Sequence, residues 1–144
     1  MNGAAFTNLV IETFRLNGRL LAQGDKLGRD LGLTSARWQV MGALDDGPLP
    51  VAQIARNMGL TRQGVQKTVN HLHRQNLVAF RPNPNHRRAR LVCLTSGGQA
   101  LYAKIMARQV RWANAIGEDF AIADIQKALE IIISLTVKLA KAPS

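Results

Sequence analysis

The segment PVAQIARNMGLTRQGVQKTVNHLHRQN, residues 50–76, constrains the fold more than any other stretch of the chain. Val51, Ile54 and Met58 recur at helical spacing, and Pro50 stands where a first helical turn tolerates a missing N–H. Leu49 falls at the N-cap, where it offers no side-chain acceptor, so this helix depends on tertiary packing. Gly59 stops it at the position that favours a left-handed backbone, and Thr61 caps a second helix that runs to about Gln75. Two short helices with so brief a junction cannot lie apart. They make a helix-turn-helix pair.

The second helix of the pair is two-sided. Val65, Val69 and Leu72 sit at i, i+4 and i+7 and are expected to face a core, whereas Arg62, Gln63, Gln66, Lys67, Asn70 and Arg74 occupy the other faces. That polar face carries no acid. No Asp or Glu occurs between Asp46 and Glu118, while eleven basic residues do: Arg56, Arg62, Lys67, Arg74, Arg81, Arg87, Arg88, Arg90, Lys104, Arg108 and Arg111. The flanks hold the remaining eight basic and all nine acidic residues, so the whole net charge of +10 arises in the middle of the chain. A solvated, aggregation-resistant surface would mix both signs. One-sided charge of this kind is the electrostatic footprint of a polyanion-binding protein. Membrane phosphates would call for an amphipathic basic helix or a lipid anchor, and the basic segment shows neither.

The acid-free region continues into a hairpin. LVAFR (77–81) and ARLVCLT (89–95) are expected to be strands, with PNPNHRR as the tip and Asn76 ending the preceding helix in the left-handed region. Pro82 and Pro84 fix φ there and stiffen the tip. The ends of the chain are helical. A first helix spans about residues 4–31, with Phe6, Leu9, Val10, Phe14, Leu20, Leu21, Leu27 and Leu31 in its apolar stripe and Gly24 as a point of weakness or bending. A second follows Thr34 or Ser35 and carries Trp38, Met41 and Leu44 before DDGPLP stops it. After the hairpin, Thr95 caps a fifth helix with Leu101, Ile105 and Ile116, and a sixth spans about 122–141 with Ile125, Leu129, Ile132, Leu135 and Leu139. The outer helices hold more apolar residues than one small lobe can cover, which points to a homodimer, the alternative being a self-contained helical bundle.

The order of these pieces resembles the MarR family of bacterial transcriptional regulators, through LTSARWQVMGAL, PVAQIARNMGL, TRQGVQKTVNHLHRQNLV and RPNPNHRRARLVCLTSGG. The NPN-x-[KR]-R turn and the LTSGG that follows the second wing strand carry the likeness most specifically, and it extends over nearly the whole chain. It implies a mainly α fold with a small β-wing: a winged helix-turn-helix DNA-binding lobe over 33–95 and a helical dimerisation region over 1–32 and 96–144. It also implies a recognition helix, 61–75, in the major groove and a wing, 81–90, in the minor groove. Members of the family typically act as repressors released by a small aromatic or phenolic compound. This chain departs from the usual pattern at His86, where members carry an Asp that orients arginines. It departs also at Asn76, which replaces Gly, and at Cys93, in a strand position that is commonly polar.

The expected partner is therefore a pseudo-palindromic double-stranded DNA operator, bound by a homodimer. Arg88 matches the family's wing arginine, with Arg87 and Arg90 as neighbours and His86 as a phosphate donor. Arginine suits a narrow A·T-rich minor groove because the negative potential there is enhanced. Gln63, Gln66, Lys67 and Asn70 are placed where base edges would be. Arg56, Arg62 and Arg74 are assigned to phosphates, and Thr61 to a cap beside them. An effector pocket would be lined by Phe14, Arg15, Trp38 and Met41, unless Trp38 and Met41 are ordinary core residues, the reading that is favoured for those two. The alternative reading is a nonspecific nucleic-acid coat, architectural or RNA-binding. Stacking aromatics, which single-stranded RNA favours, are scarce in the basic segment: Phe80, Tyr102 and Trp112.

Catalysis, cofactors and metals are not expected. His71 and His73, two apart on a helix, point to different sides, and no phosphate loop or nucleophile motif occurs. A single cysteine, Cys93, excludes an intramolecular disulfide. The N-terminal MNGAAFTNLVIETFR lacks the pattern of a secretory signal, and no apolar run approaches the roughly 18 residues of a membrane span. A cytoplasmic, nucleoid-associated location fits best.

Overall fold

The computed structural model describes residues 2–143. Six α-helices and three short strands follow in the order α1 (Asn2–Gly28), α2 (Ser35–Ala43), β1 (Leu49–Pro50), α3 (Val51–Met58), α4 (Arg62–Arg74), β2 (Val78–Arg81), β3 (Leu91–Leu94), α5 (Ser96–Gly117) and α6 (Ile122–Ala140), with a 3₁₀ turn, Arg29–Leu31, after α1. They form two compact units, Met1–Met106 and Ala107–Ser144.

The first unit holds the core. Leu33, Val40, Met41, Leu44, Ile54, Ala55, Val65, Val69, Leu72, Val78, Val92 and Ile105 form one buried cluster drawn from α2, α3, α4, the sheet and the first half of α5. The strands are antiparallel in the order β1-β3-β2, with Leu49 opposite Val92 and Val78 opposite Leu94. Because side chains alternate along a strand, this register puts Leu49, Val92, Val78 and Phe80 on the core side and leaves Ala79, Arg81, Leu91 and Cys93 on the other.

The junction of α1 with α2 is set by close approach. A Cβ at Gly24 would lie 2.1 Å from Ser35 Oγ, and one at Gly28 would lie 2.6 Å from the Leu33 carbonyl oxygen. Gly24 therefore does not bend α1, which runs unbroken to Gly28; its missing side chain is what lets Ser35 come in. The buried Ser35 then donates its hydroxyl to the Leu21 carbonyl at 2.6 Å, and its N–H donates to Asp25 Oδ1 at 2.6 Å. Thr34 is the N-cap of α2, accepting from Arg37 N–H at 3.2 Å.

Several sequence expectations change. Pro50 is the N-cap of α3 rather than its first residue, and with Leu49 it forms a third strand too short to carry a periodic signal. Met58, expected in the buried stripe of α3, is exposed, because Ile54 and Ala55 supply the contact with the core instead. On α5, Ile105 is buried whereas Ile116 is exposed. The second wing strand starts at Leu91, not Ala89, since residues 83–89 are used by the tip.

Helix α1 exposes Phe6, Leu9, Ile11, Phe14, Leu16 and Leu20. In the second unit, α6 has no buried residue, and Ile122, Ile125, Leu129, Ile132, Ile133, Val137 and Leu139 are all exposed in the single chain. No helix among the described residues is long and apolar enough to cross a membrane.

Candidate nucleic-acid interface

The turn between α3 and α4 is built as the sequence suggests. Gly59 adopts φ 65°, and Leu60 N–H donates to the Ala55 carbonyl at 2.9 Å. Thr61 Oγ1 accepts from Gly64 N–H at 3.0 Å, satisfying one of the donors a helix start leaves open. Replacing Thr61 with alanine is expected to lower stability by about 1 kcal/mol. Chemical denaturation measures it, and a change below a few tenths would mean that water caps α4 equally well.

Val65, Val69 and Leu72 are buried, which turns the opposite face of α4 outward: Arg62, Gln63, Gln66, Lys67, Asn70 and Arg74 are all exposed. Gln66 Nε2 donates to Asn70 Oδ1 at 2.8 Å, so the two amides one helical turn apart hold each other. Arg56, exposed on α3, donates through Nη2 to Gln53 Oε1 at 2.6 Å, and Gln53 donates in turn to Asn57 Oδ1 at 2.6 Å. Sequence reasoning missed Gln53 and Asn57; their i, i+3 and i, i+4 spacing around Arg56 was the available signal. Burial, and then Arg37 and Arg74, lower the pKa of the His71 imidazole.

Asn76 ends α4 at φ 57°, the left-handed conformation expected of it. Its carbonyl accepts from Thr95 Oγ1 at 2.7 Å, and that same oxygen accepts from Gly98 N–H at 3.0 Å. One threonine thus caps α5 and ties it to the end of α4.

The wing tip consists of two successive turns. His86 N–H donates to the Asn83 carbonyl at 3.2 Å, and Ala89 N–H donates to the His86 carbonyl at 3.3 Å. Asn83 Oδ1 also accepts from Asn85 N–H at 3.0 Å, the side-chain turn that an Asn-Pro-Asn sequence favours. His86 is the shared corner. Arg87 and Arg88 occupy the two central positions of the second turn, where both side chains are exposed. Arg90 is exposed as well, but its guanidinium carbon lies 4.0 Å from the centre of the Phe80 ring.

The four residues proposed for an effector are in contrasting surroundings. Phe14 is 73% exposed on α1. Arg15 pairs with Glu12 and lines a surface depression with Leu16 and Arg19. Trp38 is half-buried against the core, and Met41 has no exposed surface. Among the described residues there is no cluster of three or more His, Cys, Asp or Glu that could hold a metal ion.

A family model described as MarR family matches residues 31–89 of this chain. An uncharacterized protein of Mycobacterium tuberculosis is 34% identical over 131 residues, 91% of this chain and 92% of that protein. The transcriptional activatory protein BadR of Rhodopseudomonas palustris is 28% identical over 110 residues, 72% of this chain and 62% of its own length. Among solved structures, CouR from Rhodococcus jostii, bound to p-coumaroyl-CoA, is similar with a TM-score of 0.80 at 20% identity, over 89% of this chain and 91% of that one.

Proposed function

The chain belongs to the MarR family of winged-helix transcriptional regulators, and from that premise we infer that it binds double-stranded DNA in a sequence-dependent way, as a homodimer. The observation that carries this reading is the outward, acid-free face of α4, set in the same compact unit as a wing whose outermost turn presents Arg87 and Arg88. Helix α4 enters the major groove and the tip enters the adjacent minor groove. Gln63, Gln66, Lys67 and Asn70 meet base edges; Arg56, Arg62, Arg74 and His86 meet phosphates. The exposed apolar residues of α6, and separately those of α1, support burial against a second copy. Bound to DNA, the protein works in the cytoplasm at the nucleoid.

Selection of duplexes from a random pool tests this, with the affinity of the winner and of random DNA followed against salt. The expected result is a palindromic winner with half-sites about one helical turn apart, bound at least ~10³-fold more tightly than random DNA. Equal affinities that fall together as salt rises would mean a phosphate-only coat and would end the regulator reading. Replacing Lys67 with alanine is expected to cost roughly 1–3 kcal/mol, concentrated at one base pair of the selected site. A loss spread evenly over all sequences would move Lys67 to the phosphates.

The regulatory outcome we propose is repression relieved by a small aromatic or phenolic compound. The solved complex of CouR supports an aromatic effector, whereas BadR is named as an activator, so the position of the selected site relative to the promoter decides the sign. Phe14 and Arg15 are exposed for such a ligand and Trp38 partly so; Met41 takes part only by leaving the core.

A further inference from the structure

A single aromatic ring sits between the two DNA-facing elements. Phe80, on the core side of β2, meets His73 from the last turn of α4, with ring centres 4.8 Å apart and planes inclined at 57°. Phe80 also meets Arg90, at the end of the wing, with the guanidinium carbon 4.0 Å from the ring centre. His73 Nδ1 lies 3.3 Å from the Val78 carbonyl oxygen, a geometry in which the ring N–H donates to the strand. Helix, strand and the returning limb of the wing are thus joined through side chains at one point.

We propose that Arg90 is a positioning residue, not a DNA ligand, and that the His73–Phe80–Arg90 stack fixes the angle between the recognition helix and the wing. The inference rests on the DNA-binding reading above. A guanidinium over an aromatic face is held by the ring's negative potential, and a partly buried ring strengthens the attraction by excluding water. The wing has little else to set its pitch. Between Arg81 and Leu91 the chain leaves the sheet, and the bonds of the tip run only among its own residues 83–89. Arg90 stands where the chain returns from that excursion, so holding its side chain on Phe80 holds the hinge of the tip. A helix and a wing that must enter neighbouring grooves together benefit from a fixed separation, because less freedom is lost on binding. Arg87 and Arg88, three and two residues away in the outer turn, remain the groups that reach DNA.

The test is a double-mutant cycle of Phe80→Leu, Arg90→Met and the pair, read in two ways. The first readout is amide hydrogen exchange of residues 82–90 in the DNA-free chain, with exchange of the α4 amides as the control for folding. Each single change is expected to speed exchange of the tip by about 10-fold, and the pair by no more than either alone, since both remove the same contact. The second readout is affinity for a mixed-sequence duplex of about 30 base pairs as salt is varied. All three variants should bind several-fold more weakly with the logarithmic salt slope of the parent. The proposal is overturned if tip exchange is unchanged in both single variants, or if Arg90→Met lowers the salt slope by about one phosphate contact while Phe80→Leu binds like the parent. A parent chain that fails to bind the duplex at low salt would sink the DNA-binding reading itself, while the exchange data still decide the brace.

Discussion

Replacing Gly98 with alanine is expected to lower the free energy of unfolding by about 3 kcal/mol, at the upper end of what overpacking costs. A Cβ built on Gly98 would lie 2.0 Å from the Leu77 carbonyl oxygen and 3.0 Å from its carbon. Both atoms are backbone, so no rotamer change relieves the clash. Leu77 cannot retreat cheaply either. Its N–H donates to the Leu72 carbonyl at 3.0 Å and its carbonyl accepts from Thr95 N–H at 3.1 Å, between the end of α4 and the start of α5. The substitution has to separate α5 from that junction, which also strains the Thr95 cap. Denaturant titration at fixed protein concentration measures the loss, and alanine at the neighbouring Gly97 is the control. A Cβ there would meet nothing nearer than 3.7 Å, so Gly97→Ala should stay within about 0.5 kcal/mol of the parent. Equal effects at the two glycines would show that close approach at Gly98 does not set the requirement.

The second large effect belongs to the wing. Arg88→Ala is expected to weaken binding to the selected operator by roughly 100-fold, about 2.7 kcal/mol, while leaving dimerisation and thermal stability unchanged. Arg88 is exposed in the outer turn of the tip, so its removal leaves no cavity and no unpaired buried group. What is lost is a cation placed where a narrow minor groove concentrates negative potential. The loss should be greatest on sites with A·T-rich flanks. Unchanged affinity would take Arg88 out of the groove, and an equal loss on G·C-rich flanks would make it a phosphate contact.

The two substitutions separate two kinds of information in the chain. The helix-turn-helix pair was legible because its signals are local. Gly59 takes the left-handed backbone it was assigned, Thr61 caps α4, and Val65, Val69 and Leu72 are buried as their spacing required. The acid-free face of α4 follows from that periodicity alone, since burying one side of a helix exposes the other. Where the reading failed, a local rule competed with a contact from elsewhere. Met58 fits the apolar stripe of α3 but lies at its end, beyond the reach of the core. Gly24 looks like a helix breaker and is instead a seat for Ser35, eleven residues on.

The wing divides in the same way. Two prolines, two asparagines and the run of arginines determine that a stiff, cationic turn exists, because they fix φ and offer side-chain acceptors within a few residues. Which arginine points outward was not determined there. The resemblance singles out Arg88, with Arg87 and Arg90 as neighbours; the register of β2 against β3 and the contact of Arg90 with Phe80 set Arg90 apart from the other two. The sequence by itself settled the six helices and the wing hairpin, their order and the sign of the charge they present, since these depend on neighbours within one or two turns of chain; the two-residue β1 it did not show. The close approaches at Gly24 and Gly98, and the seat of Arg90 on Phe80, were decided by the tertiary structure, since they depend on distances between atoms that chain-local rules do not relate.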